Sequence, residues 1–372
     1  MQRPKKILLL YISVLSGHHR AAMAIEKALR YLKPDTQIYS INSFHYTNPI
    51  LERIINRTYN GIIKRTPEVW EYLYDNPRVV KNTKALKDMM HRYNGSKMKN
   101  LINDLKPDVV ACTQAFPCGM IADYKVTHNS SLPLIGVLTD FYPHSYWIYD
   151  SVDLYAVASD DARDRLISNG VSSEKIKVTG VPIDIKFNIR CDKVRSRMSL
   201  GLDPYKKTVL IMGGSGGLGP IKKVVHSLDR INSDIQMIVV SGTNSRLNAY
   251  LTRRAGRMNK KVFVIGYAEN IDELMDMSDL IITKPGGLTA SEALAKHVPI
   301  IIINPIPGQE AKNTEFLLQN GAAVRAKTEE DLAILVDNLC VAKAKLEDMK
   351  KAIENIARPS SAIDIAKTLL EI

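Results

Sequence analysis

The sequence predicts an α/β protein built as two doubly wound, Rossmann-like domains facing each other across a cleft. Continuous apolar runs, the mark of parallel strands covered on both faces, alternate with helical repeats. The alternation starts afresh in the second half. The length of 372 residues suits two domains of ~100–200 residues each.

In the first half, strands are expected at Ile7–Leu15, Gln37–Asn42, Val109–Cys112, Leu134–Leu138, Leu154–Ala158 and Ile176–Thr179. Ile7–Leu15 follows Arg3, Lys5 and Lys6, as the core of a secretory signal would. It runs into Ser16-Gly17-His18-His19-Arg20 rather than a small-residue cleavage site, and so reads as a buried strand. Ala21, Ala24, Ile25, Ala28, Leu29 and Leu32 then recur at three and four, which predicts a helix over Arg20–Leu32.

The second series begins with a strand at Thr208–Met212, a glycine loop at Gly213–Gly219 and a helix at Ile221–Asn232. Strands follow at Ile235–Ser241, Val262–Ile265, Leu280–Thr283 and Pro299–Ile303. The polar stretch Lys186–Lys207 between the two series reads as a linker. In such sheets ligands bind beyond the carboxyl ends of the strands.

Composition narrows the function. Hydrophobic residues at 45% and charged residues at 24% describe a folded chain rather than a disordered one. No apolar run approaches the ~20 residues of a membrane span. The four cysteines (Cys112, Cys118, Cys191 and Cys340) form no C-x-x-C pair, which argues against a disulfide framework or structural zinc and fits a reducing cytosol. The net charge is +12, and it is unevenly placed. Residues 45–100 hold 11 basic and 5 acidic side chains, which points to an acidic partner surface. There, Leu51, Ile55, Tyr59 and Ile62 form one stripe, Arg53, Arg57 and Lys64 another, with Arg65 and Trp70 close behind. The stripes fit either a helical pair packed on the sheet or an interfacial helix with its cations on lipid headgroups. No zinc pattern, helix-turn-helix spacing or RNA-binding aromatic signature is present, so no nucleic-acid partner is expected.

Five segments carry the candidate chemistry. In Thr283-Lys284-Pro285-Gly286-Gly287-Leu288-Thr289-Ala290-Ser291-Glu292, a strand runs through glycines straight into a helix. Free amides at a helix start suit an anion such as a diphosphate. Thr289-x-x-Glu292 is equally a capping box, so Glu292 has two competing roles. Gly213-Gly214-Ser215-Gly216-Gly217 is a second phosphate candidate or a simple turn. It lacks both the P-loop Lys-Ser/Thr and the acidic partner of a dinucleotide site. Pro307-Gly308-Gln309-Glu310 enters a helix over Ala311–Gln319, and its two polar side chains suit several sugar hydroxyls. Glu310 also suits a helix N-terminus. Gly17-His18 follows the first strand, where an imidazole is either a general base or a helix-start residue. Thr139-Asp140-Phe141-Tyr142-Pro143-His144-Ser145-Tyr146-Trp147 fits an acceptor pocket or a packed loop.

Taken in order, Gly17-His18, Thr139-Asp140 with His144 and Trp147, Thr179-Gly180-Val181-Pro182-Ile183, Gly266-Tyr267 with Ile271-Asp272-Glu273-Leu274, Lys284–Thr289 and Pro307–Glu310 resemble glycosyltransferase family 28 on its lipid-glycosylating branch. The resemblance spans nearly the whole chain and is greatest to processive diacylglycerol glucosyltransferases and monogalactosyldiacylglycerol synthases. It implies a GT-B fold, an inverting mechanism and a UDP-sugar donor. The implied domains are 1–188 on the acceptor and membrane side, 189–357 for the donor, and 358–372 as a helix returning to the first domain.

It further implies His18 as base. Gly17, Gly213, Gly214, Ser215, Gly216, Tyr267, Pro285, Gly286, Gly287, Leu288, Thr289, Glu292, Gln309 and Glu310 fall on the donor, with Glu292 at the ribose, Gln309 and Glu310 at the sugar and Tyr267 at the uracil. Asp140, Tyr142, His144 and Trp147 fall on the acceptor, and Arg53, Arg57, Lys64, Arg65 and Trp70 on an anionic membrane surface. No metal or other cofactor is expected, because no compact carboxylate pair is evident in the sequence near the site. The expected activity is transfer of a hexose from a UDP-sugar to a membrane lipid, foremost diacylglycerol, by an enzyme held peripherally on the cytoplasmic face. Two alternatives share the fold: an N-acetylglucosamine transferase acting on a polyprenyl-diphosphate muropeptide, and a UDP-sugar epimerase.

Overall fold

The computed structural model describes residues 3–13, 16–47 and 97–372. Arg53, Arg57, Lys64, Arg65 and Trp70, with the expected basic insertion around them, lie outside the described residues. The chain divides into two compact units. The first comprises Met1–Ile185, Pro307–Gln309 and Ser360–Ile372, and the second Lys186–Ile306 and Glu310–Pro359.

The first unit runs β1 (Lys6–Tyr11), α1 (Gly17–Leu32), β2 (Gln37–Asn42), α2 (Ser43–Thr47), α3 (97–105), β3 (Val109–Cys112), α4 (Ala115–Thr127), β4 (Leu134–Val137), β5 (Leu154–Val157), α5 (Asp160–Ser168) and β6 (Ile176–Val178). Its six strands are all parallel, in the order β2-β1-β3-β4-β5-β6. Ile7 and Leu9 point into one core with Ile25 and Leu29 of α1. Leu8 and Leu10 point into the other, with Val110, Cys118 and Tyr155. Burial on both faces explains why the strand reads as an unbroken apolar run. The strand ends at Tyr11, four residues before the apolar run does.

The second unit runs α6 (Lys193–Ser199), β7 (Lys207–Met212), α7 (Ile221–Leu228), β8 (Ile235–Val240), α8 (Ser245–Ala255), β9 (Lys261–Ile265), α9 (Ile271–Asp276), β10 (Leu280–Thr283), α10 (Gly287–Ala295), β11 (Ile300–Ile302), α11 (Gln309–Gln319), β12 (Ala323–Arg325), α12 (Glu329–Val341) and α13 (Lys343–Ile356). Its parallel order is β12-β11-β10-β7-β8-β9. Each sheet therefore reverses its winding next to its first strand, between β1 and β3 and between β7 and β10. Such reversals open the crevices in which doubly wound sheets hold ligands.

Two expectations need correction. The stretch Lys186–Lys207 is not a linker, because α6 forms there and Arg197 is only 3% exposed. Its guanidinium donates to Asp279 Oδ2 at 2.7 Å and to the Met277 carbonyl at 2.8 Å, while Lys193 donates to Asp279 Oδ1 at 2.9 Å. The basic residues that made the stretch look solvated are neutralising a largely buried carboxylate. The helix expected over Ile221–Asn232 stops at Leu228.

The chain ends in α14 (Ser361–Glu371), which packs on α1 within the first unit. Ala362, Ile365, Ala366 and Leu369 enter the same core as Ile7 and Leu29. Ser361 Oγ accepts the Ile183 N–H at 3.3 Å, and Lys177 donates to Thr368 Oγ1 at 2.8 Å.

Candidate active site

In the first unit, His18 stands at the crevice between the carboxyl ends of β1 and β3. Ser16 caps α1, its hydroxyl oxygen accepting the His19 N–H at 3.2 Å. Gly17 is the exposed first residue of the helix and His18 the second. The His18 Nδ1 is 2.9 Å from the Thr113 carbonyl oxygen, and Thr113 Oγ1 donates back to the His18 carbonyl at 2.9 Å. A carbonyl only accepts, so Nδ1 carries the proton and Nε2 keeps its lone pair. Part of the His18 surface remains accessible, yet its ring lies deep enough that burial lowers its pKa to about 4. The neighbouring His19 ring packs on Tyr11, with centroids 4.6 Å apart.

The loop after β4 carries the acceptor candidates. Asp140, Tyr142 and His144 are half-buried. Arg165 lies over the Tyr142 ring at 3.8 Å and donates to the Pro143 carbonyl at 3.0 Å, which braces the loop. Trp147 is 4% exposed and belongs to the core, and its carbonyl accepts the Tyr155 hydroxyl at 3.0 Å. Its ring therefore packs under the loop rather than facing outward.

In the second unit, the two glycine segments flank the other crevice. The loop after β7 folds against the end of β8, with the Thr243 N–H donating to the Ser215 carbonyl at 2.9 Å. A Cβ on Gly213 would lie 1.9 Å from the Leu218 oxygen, and one on Gly217 2.0 Å from the Ser241 oxygen. Only glycine fits this approach of backbone to backbone, while Gly214, Ser215 and Gly216 remain at least partly accessible. The segment after β10 starts a helix whose N-cap is Gly286 in extended backbone. The first backbone bond of α10 is Ala290 N–H to the Gly286 carbonyl, so the amides of Gly287, Leu288 and Thr289 precede the helical ladder. That is an anion site in form, and a diphosphate is the group it suits.

This geometry removes the capping box. Thr289 is the third helical residue rather than the cap, and Glu292 lies in the second turn, 6% exposed. A buried carboxylate held there has no part in starting the helix. Tyr267, 42% exposed, follows β9 at the edge of the sheet.

Glu310 is engaged on both oxygens: Oε2 accepts the Ile306 N–H at 2.7 Å, and Oε1 pairs with Lys284 at 3.2 Å. Its carboxylate braces the turn before α11 against the segment after β10. One turn later, fully buried Asn313 donates to the Pro285 carbonyl at 3.0 Å. Asn313 was not legible as a brace of this segment. Its one sequence signal is its place four residues after Gln309, on the same helix face. Among the described residues, no group of three or more His, Cys, Asp or Glu is arranged to hold a metal ion.

Two six-stranded Rossmann-like units with these windings form the GT-B fold of glycosyltransferases. Among solved structures, MurG of Acinetobacter baumannii superposes with a TM-score of 0.69 at 17% identity, over 99% of this chain and 100% of that one. Anabaena HepE, solved with UDP-glucose, gives 0.58 at 15% identity, over 98% of each chain. Residues 18–183 match the monogalactosyldiacylglycerol synthase family, and residues 208–369 the glycosyltransferase family 28 C-terminal domain. The processive diacylglycerol beta-glucosyltransferase of Bacillus pumilus is 30% identical over 372 residues, 100% of this chain and 96% of that protein. The Bacillus thuringiensis protein of the same name is 32% identical, over 100% and 95%. The chain belongs to glycosyltransferase family 28, on its lipid-glycosylating branch. It is a hexosyltransferase.

Proposed function

We propose that this enzyme moves a hexose, foremost glucose, from its UDP conjugate to diacylglycerol with inversion at the anomeric carbon. The observation that carries the mechanism is the His18–Thr113 contact, which leaves Nε2 as the proton acceptor. The acceptor lipid follows from the relatives, whose names specify diacylglycerol over the full length of this chain.

Nε2 takes the acceptor hydroxyl's proton as that oxygen attacks the anomeric carbon from the face opposite UDP. The bond from that carbon to the phosphate oxygen breaks, and negative charge grows on UDP. The amides at the start of α10 and the loop Gly213–Gly217 meet that charge. Glu292 holds the ribose hydroxyls, Tyr267 borders the uracil, and Gln309 faces the sugar. Glu310 supports that turn through its two bonds. Asp140, Tyr142 and His144 border the acceptor.

The basic segment 45–100 holds the enzyme on anionic lipid at the cytoplasmic face. Among the described residues, no helix is long and apolar enough to cross a membrane. Reversing Arg53, Arg57 and Lys64 should abolish sedimentation with anionic vesicles and leave UDP binding intact.

Transfer from radiolabelled UDP-glucose, offered diacylglycerol or polyprenyl-diphosphate lipid, tests the reading. Label in the diacylglycerol product is expected, and label only in the polyprenyl lipid would overturn it. Conversion of free UDP-N-acetylglucosamine would instead indicate an epimerase.

A further inference from the structure

Thr139 follows β4, whose carboxyl end lies beside that of β3 in the same sheet. Its hydroxyl oxygen is 3.0 Å from His18 Nδ1, and the residue is only 6% exposed. It is thus a second oxygen on a nitrogen that already donates to the Thr113 carbonyl. Because that carbonyl fixes the proton on Nδ1, the Thr139 oxygen can only accept there, in a shared bond. Its own hydrogen must point elsewhere. Asp140 Oδ2 lies 3.5 Å away and takes that hydrogen. The distance is long for a hydroxyl donor, as catalytic contacts often are before substrate binds.

We propose that Thr139 is a positioning residue for His18, its hydroxyl linking the imidazole Nδ1–H to the Asp140 carboxylate. The inference rests on the reading of His18 as the base. It also gives Asp140 a role other than acceptor contact.

The arrangement answers a difficulty of the site. Burial that keeps His18 neutral also makes it a weak base, because the imidazolium is poorly solvated where the ring lies. During transfer the proton passes from the acceptor hydroxyl to Nε2 and stops there. The Nδ1 proton, the Thr139 proton and the ionised Asp140 all stay in place. The hydroxyl dipole, already oriented by the carboxylate, meets the positive charge as it forms, so the stabilisation arises mainly in the transition state.

The test compares Thr139→Val, which keeps the shape and loses the hydroxyl, with Thr139→Ser, which keeps the hydroxyl, and with Asp140→Asn. Thr139→Val should lower kcat ~10–100-fold, the worth of a hydrogen bond to a charged group, at unchanged KM for UDP-glucose. Thr139→Ser should restore most of the rate, and Asp140→Asn should lower kcat about tenfold. In a His18→Ala background, Thr139→Val should cost nothing further, because its partner is gone. Calorimetry with UDP checks that each variant is folded.

Wild-type kcat in Thr139→Val would overturn the inference, as would a further tenfold loss on the His18→Ala background. So would an Asp140→Asn effect confined to KM for diacylglycerol. A His18→Ala enzyme of normal turnover would sink the base assignment itself. A dead His18→Ala beside a normal Thr139→Val would sink this inference alone.

Discussion

His18 Nδ1 and the Thr113 carbonyl oxygen, 95 residues apart in the chain, meet at 2.9 Å where β1 and β3 end. The contact selects one tautomer, and burial lowers the ring's pKa to about 4 from an ordinary value near 6.5. The ring is therefore neutral, with Nε2 open to a proton, well below the usual histidine range, as the proposed base requires. Turnover should show no histidine-type loss between pH 7 and about 5, and should fall only towards pH 4. His18→Ala should lower kcat ~10²–10⁴-fold while sparing UDP affinity, and calorimetry beside a rate assay reads both.

The same ionisation sets a stability trend. Between pH 6.5 and about 4 the unfolded chain binds a proton at His18 that the folded chain does not. Stability linked to this group is present above that window and is lost as pH falls through it. Denaturant titrations at pH 7 and pH 5 should show a smaller acid loss in His18→Gln than in the parent.

Glu292 lies inside α10 and caps nothing. Glu292→Gln should weaken UDP binding ~10–100-fold by removing a charged acceptor, with little change in Tm. A large fall in Tm with unchanged UDP affinity would assign it a purely structural role.

Arg197 and Asp279 form an ion pair at 2.7 Å, with side chains 4% and 13% exposed. Burial opposes ionisation of Asp279, but Lys193, the Thr208 N–H and Arg197 outweigh it and hold its pKa below the ordinary carboxylate value. The stability it contributes is present above pH ~4 and is lost as pH falls through the lowered value. Arg197→Met should cost about 3–5 kcal/mol, because it leaves a buried carboxylate short of a partner. Chemical denaturation would measure it, with UDP affinity unchanged in the folded fraction.

Leu369 is fully buried between α14 and the first unit's sheet. Leu369→Ala should cost about 2–5 kcal/mol, and removal of residues 361–372 should cost more and lower activity. A truncated enzyme of normal Tm and turnover would contradict this.

The central strands were legible because burial on both faces writes them as apolar runs, as in Ile7–Leu10 and Val209–Met212. β12 was missed: Ala323–Arg325 is three residues, of which only Ala323 is buried. The stretch Lys186–Lys207 misled because a cation that neutralises a buried acid, as Arg197 does, looks in sequence like one facing water. Thr289-x-x-Glu292 left two roles open, and the capping one fails because the extended backbone of Gly286 starts the helix three residues earlier than the pattern suggests. Gly17-His18 was visible as a candidate. Its partner Thr113 was not, nor was its pairing with Thr139, whose segment read as an acceptor candidate, since sheet order rather than spacing joins them. Trp147 looked like a pocket ring and serves the core.

The most direct measurement is proton NMR of the lipid formed from UDP-glucose and diacylglycerol. The UDP conjugate carries its sugar in the α configuration, so the expected product shows the large anomeric coupling of a β-glucoside on the glycerol hydroxyl. An α-linked product, or no glycosylated diacylglycerol at all, would contradict an imidazole-driven attack opposite the leaving UDP.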